Sequence, residues 1–163
     1  MKKYLVVALL MILSAPAYAN VDGKDFGFGI VLGDPTGITL KHWLNNENAM
    51  NFTVGSSYYG SLRLGVDYLW HFNAFNTDLF NLHAGIGGVL GIGDNDNWFT
   101  SRERSKWNTF DDDFGLGARA TFGGNFVPRR VPLEIFLELG VIVGVVPGFG
   151  TGAEGAVGIR FYP

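Results

Sequence analysis

The stretch Pro132–Val146, PLEIFLELGVIVGVV, decides the fold. Read at period two, one side carries Leu133, Ile135, Leu137, Leu139, Val141, Val143 and Val145, with nothing polar among them. The other side carries Glu134, Phe136, Glu138, Gly140, Ile142, Gly144 and Val146. Successive side chains on a strand point to opposite faces, so this is a long strand with one unbroken aliphatic side. At the helical period the two glutamates would fall among the leucines, and the segment is too short and too charged for a membrane helix. A strand that is apolar on one side and mixed on the other suits a wall between lipid and a filled lumen.

The rest of the chain repeats this alternation. Phe26–Gly33, about Ile38–Leu44, about Met50–Gly55, Ser61–Phe72, about Leu79–Gly91, Asp113–Gly123 and Thr151–Tyr162 are the other expected strands. In the fourth, Leu62, Leu64, Val66, Tyr68, Trp70 and Phe72 oppose Ser61, Arg63, Gly65, Asp67, Leu69 and His71. Eight strands are thus joined in sequence by turns rich in Gly, Pro, Asn and Asp, with no helix among them. The expected architecture is an all-β, eight-stranded antiparallel up-and-down transmembrane barrel over residues 25 to 162. A membrane-embedded sheet has to close in this way, because an open edge cannot be satisfied in hydrocarbon.

Composition agrees. The 163 residues include 24 glycines and no cysteine, with 15% aromatic and only 17% charged residues. Glycine at this level without a collagen period suits strands crowded on the inward side. A formal net charge of −3 argues against nucleic acid as a partner. The start reads as a bacterial-type secretory signal over residues 1–19: basic Lys2-Lys3, an apolar run from Tyr4 to Leu13, and the small-x-small site Ala17-Tyr18-Ala19. Cleavage after Ala19 leaves Asn20–Pro163 as a single barrel domain, 20–163.

If the first strand rises from the periplasm, the long polar connection Asp94–Asp112 lies outside the cell, where bacterial barrels place their long loops. Aromatic residues cluster near strand ends. Trp43, Trp70, Phe72, Phe80, Phe161 and Tyr162 stand at the periplasmic end, and Tyr58, Tyr59, Trp98 and Phe149 at the other, as two interface girdles. Signal, eight strands and the aromatic-ended last strand (Val157, Ile159, Phe161) resemble the small outer-membrane barrels of the OmpA-transmembrane-domain and OmpX type. That resemblance implies insertion by the barrel-insertion machinery, which reads a terminal aromatic. Here Phe161 is followed by Tyr162 and Pro163.

With aliphatics toward lipid, the inward ionisable set is Lys41, Arg63, Arg119 and Arg160 against Asp67, Glu134, Glu138 and Glu154, with His83 and His71 beside them. An eight-stranded barrel is wide enough only for side chains to fill, so these charges must pair. Folding the last two strands about Gly148-Phe149 sets Glu138 opposite Arg160. The preceding pairs set Arg119 opposite Phe136 and Asp67 opposite His83. The expected plug comprises Arg119, Glu134, Glu138 and Arg160.

Candidate chemistry is sparse. No serine lies two residues from His42 or His71, and none lies near His83, so a Ser-His-acid set is not expected and no catalytic residue is assigned. His42 with Trp43, and His71 with Phe72, read instead as interface anchors. Counted from Asp94, the EF-hand positions for glycine and glutamate hold Phe99 and Ser105, which excludes that loop. No metal or cofactor is expected. The loop's Trp98, Phe99, Arg102, Arg104, Trp107 and Phe110 have the composition of a contact surface.

The expected function is non-enzymatic: a monomeric outer-membrane barrel with a side-chain-filled lumen, contacting outer-membrane lipid, with a structural role or a surface ligand at loop 94–112. The alternative is a lipid-binding or lipid-modifying barrel. A secreted lipocalin-like carrier, with the aliphatic side inside, is disfavoured because the other face is too glycine-rich and too sparsely charged for a soluble exterior.

Overall fold

The computed structural model describes residues 25–74, 77, 79–93, 114–128, 131–146 and 149–163. Residues 1–24 and the connection 94–113 lie outside the described residues, and with them the expected signal peptide and Trp98, Phe99, Arg102, Arg104, Trp107 and Phe110.

Eight strands follow one another: β1 Phe26–Gly33, β2 Thr36–Trp43, β3 Asn48–Ser57, β4 Gly60–Phe72, β5 Phe80–Ile92, β6 Phe114–Phe126, β7 Leu133–Val146 and β8 Gly150–Phe161. Each pairs antiparallel with its sequence neighbours, and β8 returns to β1, so the sheet closes into a barrel. No helix occurs among the described residues. The expected third strand is longer at both ends, and the sixth runs on from Gly123 to Phe126.

Closure carries a fixed stagger. Followed across paired residues, the path from Arg160 runs through Gly29, Thr39, Thr53, Gly65, Val89, Gly117 and Gly144 and returns to β8 at Gly150, ten residues away. A stagger of this kind tilts the strands by about 40° and leaves an interior that side chains can fill.

Alternation is clean on every strand. On β7, Leu137 and Leu139 stand 59% and 61% exposed on the outside, while Phe136 and Glu138 between and beside them are buried. The outside is apolar all the way round, from Phe28, Ile30 and Leu32 on β1 to Val157, Ile159 and Phe161 on β8. The inside holds the buried charges and only a small apolar cluster of Val31, Phe136 and Ala156.

The inward glycines act as sockets for large neighbours. Gly158 makes room for the Phe136 ring, Gly27 for Tyr162, Gly123 for His83 and Gly140 for Glu154. A Cβ at Gly158 would also stand 2.5 Å from the carbonyl oxygen of Ile30. One inward glycine, Gly65, has nothing nearer than 3.8 Å to an added Cβ.

The aromatic girdles differ from expectation. Trp70, Phe72 and Phe161 do face outward. Trp43 and Tyr162 instead turn into the lumen, where the Trp43 indole N–H donates to the Tyr162 hydroxyl at 3.3 Å. Tyr58 and Tyr59 also turn inward, against Gly152 and against Gly91 and Gly117 respectively. Strand parity, not proximity to a strand end, sets which way a ring points.

This packing sets two substitutions apart. Gly158→Val should cost about 1–3 kcal/mol or more by overpacking, whereas Gly65→Ala should change stability by less than about 0.5 kcal/mol. Urea unfolding of protein refolded in detergent micelles checks both; equal effects would contradict the socket packing.

Candidate functional site

The strands bring the inward charges into two linked clusters. The end where β1 starts and β8 finishes is the lower end. There Glu134 on β7 is the hub: Lys41 Nζ on β2 lies 3.1 and 3.2 Å from its two carboxylate oxygens. Arg160 Nη1 on β8 donates to Glu134 Oε1 at 2.7 Å, Asn125 Nδ2 donates to the same oxygen at 2.8 Å, and the Tyr162 hydroxyl donates to Oε2. The Arg160 guanidinium continues to Thr39 and to Asn51 Oδ1, 3.0 Å away, and lies 3.7 Å above the Phe136 ring. Lys41 lies 4.2 Å above the Trp43 ring. Every ordinary donor of these cations therefore has a carboxylate, an amide or a ring face, which burial requires.

Arg119 on β6 is the hub of the upper cluster. Its three guanidinium nitrogens reach three carboxylates from three strands: Asp67 on β4, Glu138 on β7 and Glu154 on β8. Glu154 is shared with Arg63 Nη1 at 2.8 Å. His83 joins the clusters, with Nε2 3.2 Å from Glu138 and Nδ1 on Asn125, which itself holds Glu134. Asn51 Nδ2 makes a second, longer bridge to Asp67 at 3.5 Å.

All nine residues of the expected network, Lys41, Arg63, Asp67, His83, Arg119, Glu134, Glu138, Glu154 and Arg160, are buried inside the barrel. The partners differ from the expected ones. Arg160 stands opposite Glu134, not Glu138; Arg119 opposite Ile142, not Phe136; and Asp67 opposite Gly87, not His83, whose partner is His71. Turn lengths alone misjudged each register. Glu138 and Arg119 meet across the lumen, not along a ladder rung.

His71 is a further correction. It is buried beside Trp43, ring centroids 4.3 Å apart, with Nδ1 on the Glu47 carbonyl oxygen, so it is not an outward anchor. Neither His71 nor His83 has a serine among its hydrogen-bond partners within the described residues.

Several residues of the site escaped the sequence reading as functional groups. Thr39, Asn51 and Tyr162 share the inward parity of the charges, and that parity was the signal for them. Asn125 lies beyond the expected end of its strand. Asp34, in the turn between β1 and β2, adds a carboxylate whose Oδ1 is 3.9 Å from Arg63 Nη1. Burial pushes this carboxyl up to about 6 even though Arg63 pulls it down, and Glu154 nearby adds to the rise. Burial and the carboxylates of Asp34 and Glu154 also push the Tyr58 phenol above its ordinary value.

The chain matches no known family model, and no curated protein or solved structure is similar to it.

The two hubs predict unequal costs. Glu134→Leu leaves Lys41 and Arg160 buried with no carboxylate, and should cost about 3–5 kcal/mol. Glu138→Leu leaves Arg119 two carboxylates and should cost clearly less, about 1–2 kcal/mol. Urea midpoints of the two variants in the same micelle check the order, and a reversed order would contradict the hub assignment.

Proposed function

We propose that this chain is a small outer-membrane barrel of the OmpA-transmembrane-domain and OmpX type, spanning the bilayer as a non-conducting, structural element of the envelope. The observation that carries this reading is the inverted distribution of polarity around a closed sheet. The outside is a continuous apolar surface, including Ile30, Ile86, Leu137 and Val157, and the inside is a network of paired charges. Exposed apolar surface on this scale has a stable solvent only in lipid or in another apolar surface. Closure satisfies every strand edge that lipid would otherwise meet, over most of the barrel height.

The non-conducting role rests on the lumen. Arg119 and its three carboxylates lie across it at the upper level, and Glu134, Lys41, Arg160 and Tyr162 at the lower. Ion passage would require parting buried pairs, at several kcal/mol each. Contact with a surface ligand is assigned to loop 94–112 and its aromatic and arginine residues, and insertion to the barrel-insertion machinery. The distribution of polarity is opposite to that of a carrier with an apolar cavity.

Protein from the membrane fraction should migrate faster unboiled than boiled on a denaturing gel, as a closed barrel does. Reconstituted in planar bilayers, it should show no stable conductance step. A soluble protein with no mobility shift would overturn the membrane reading, and steady ion conductance would overturn the plugged role.

A further inference from the structure

The barrel wall is not of even height. At the upper end β1 pairs with β8 only as far as Gly33 opposite Ala156, followed by one hydrogen bond from Asp34 N to the Gly155 carbonyl oxygen at 2.9 Å. The β1–β2 hairpin turns there, at Asp34-Pro35. β8 continues upward to Gly150, paired on its β7 side alone. At about 3.3 Å per residue and a tilt near 40°, the wall is lower by roughly 12 Å across the width of this hairpin.

Along that free edge, alternation turns the backbone groups of Ala153 and Thr151 the same way as the Gly155 carbonyl. No backbone partner meets them there among the described residues. Outward on the same length, β8 carries only Thr151, Ala153 and Gly155, beside the tall Leu139, Val141 and Val145 of β7. The result is a furrow on the outer surface that runs down to the notch.

Inside the notch the chemistry is acidic. Asp34 stands at its sill, with Glu154 and Arg63 behind it. The Tyr58 ring crosses the opening from the β3–β4 turn and rests in the socket at Gly152. Asp34 Oδ1, Glu154 Oε2, Asp67 Oδ1 and the Tyr58 hydroxyl are buried and have no hydrogen-bond partner. Glu154 and Asp67 are themselves more than nine-tenths buried. The upper cluster holds four carboxylates, Asp34, Asp67, Glu138 and Glu154, against two guanidiniums, Arg63 and Arg119, with His83 on Glu138. The lower cluster has the opposite balance, one carboxylate for Lys41 and Arg160.

We propose that this notch is a binding site for an amphiphile with a protonated primary amine, its chain in the Thr151–Ala153–Gly155 furrow and its ammonium at Asp34 and the Tyr58 hydroxyl. The ammonium supplies the hydrogen-bond donors that the unpartnered oxygens lack and the positive charge that the upper cluster lacks. The free backbone edge of Thr151 and Ala153 takes the polar region of the same molecule, which satisfies groups that hydrocarbon would leave bare. Tyr58 moves aside on entry, the socket at Gly152 being its closed position. The proposal rests on the membrane reading above.

The test titrates dodecylamine into the refolded barrel in dodecyl maltoside micelles at neutral pH, following backbone amide resonances. Saturable shifts should centre on Gly33, Asp34, Thr151 and Ala153. Half-saturation should come at about tenfold lower concentration than for dodecanol, and likewise than for butylamine. Asp34→Asn should remove the advantage over dodecanol, and Ala153→Leu the advantage over butylamine. Glu47→Gln, at the lower end, should leave both unchanged. Equal response to dodecanol, or shifts spread over the whole outer surface, would overturn recognition of the amine at the notch. Equal response to butylamine would place the amine site in the lumen, reached from water, and overturn the lateral route. The boiled-against-unboiled gel shift is read on every sample. Its absence overturns the membrane reading and this proposal together, while an intact shift with a flat titration overturns this proposal alone.

Discussion

Eight charged side chains share the interior of a barrel too narrow for bulk water, and the remaining structure depends on how they neutralise one another. Each would carry a desolvation cost of several kcal/mol if left alone. The solution is two hubs of opposite sign. Glu134 gathers two cations, a tyrosine hydroxyl and an amide at the lower end, and Arg119 gathers three carboxylates above it. A guanidinium can serve three strands at once because its donors diverge in a plane, which a lysine in the same place could not do. Asn51, Asn125 and His83 tie the hubs together, so the plug is a single network attached to β2 through β8.

The glycines complement the charges. A barrel interior of fixed width can hold an arginine or a tyrosine only where the neighbouring strand gives up its own side chain. Tyr162 lies over Gly27, His83 against Gly123 and Phe136 against Gly158. The 24 glycines are thus in part the negative image of the large inward residues. Where the large residue is an aromatic on a short turn, as with Tyr58 and Tyr59, the same pairing closes the upper lumen without a long plug. The hairpin at Asp34-Pro35 is the exception to even closure, and it exposes both a backbone edge and an acidic interior on one side.

Period-two alternation made the fold legible. It placed every strand and sorted inward from outward, because one face of each strand is strictly apolar. The pairs across the ladders were not legible. Arg160 was matched to Glu138 but stands opposite Glu134, and His83 was matched to Asp67 but stands opposite His71. Each slip is an even number of residues, so it left the facing of every side chain intact and altered only the partners. Irregularities at Gly55/Ser57 and Leu116/Gly117 add to this, and nothing in the residue pattern announces them. Trp43 and Tyr162 were misread for another reason. Their position near strand ends suggested an interface role, although their parity already matched that of Lys41 and Arg160.

The central claim is that the aliphatic face of each strand meets lipid while the charged face is sealed from it. The chain contains no cysteine, so single cysteines can be placed one at a time along β7 and labelled with a nitroxide in lipid vesicles. Labels at Leu137, Leu139 and Val141 should be relaxed strongly by oxygen dissolved in the bilayer, and labels at Phe136, Gly140 and Ile142 weakly, alternating residue by residue. Alternation of the opposite phase, or equal accessibility to a water-soluble relaxant on both sets, would contradict the account.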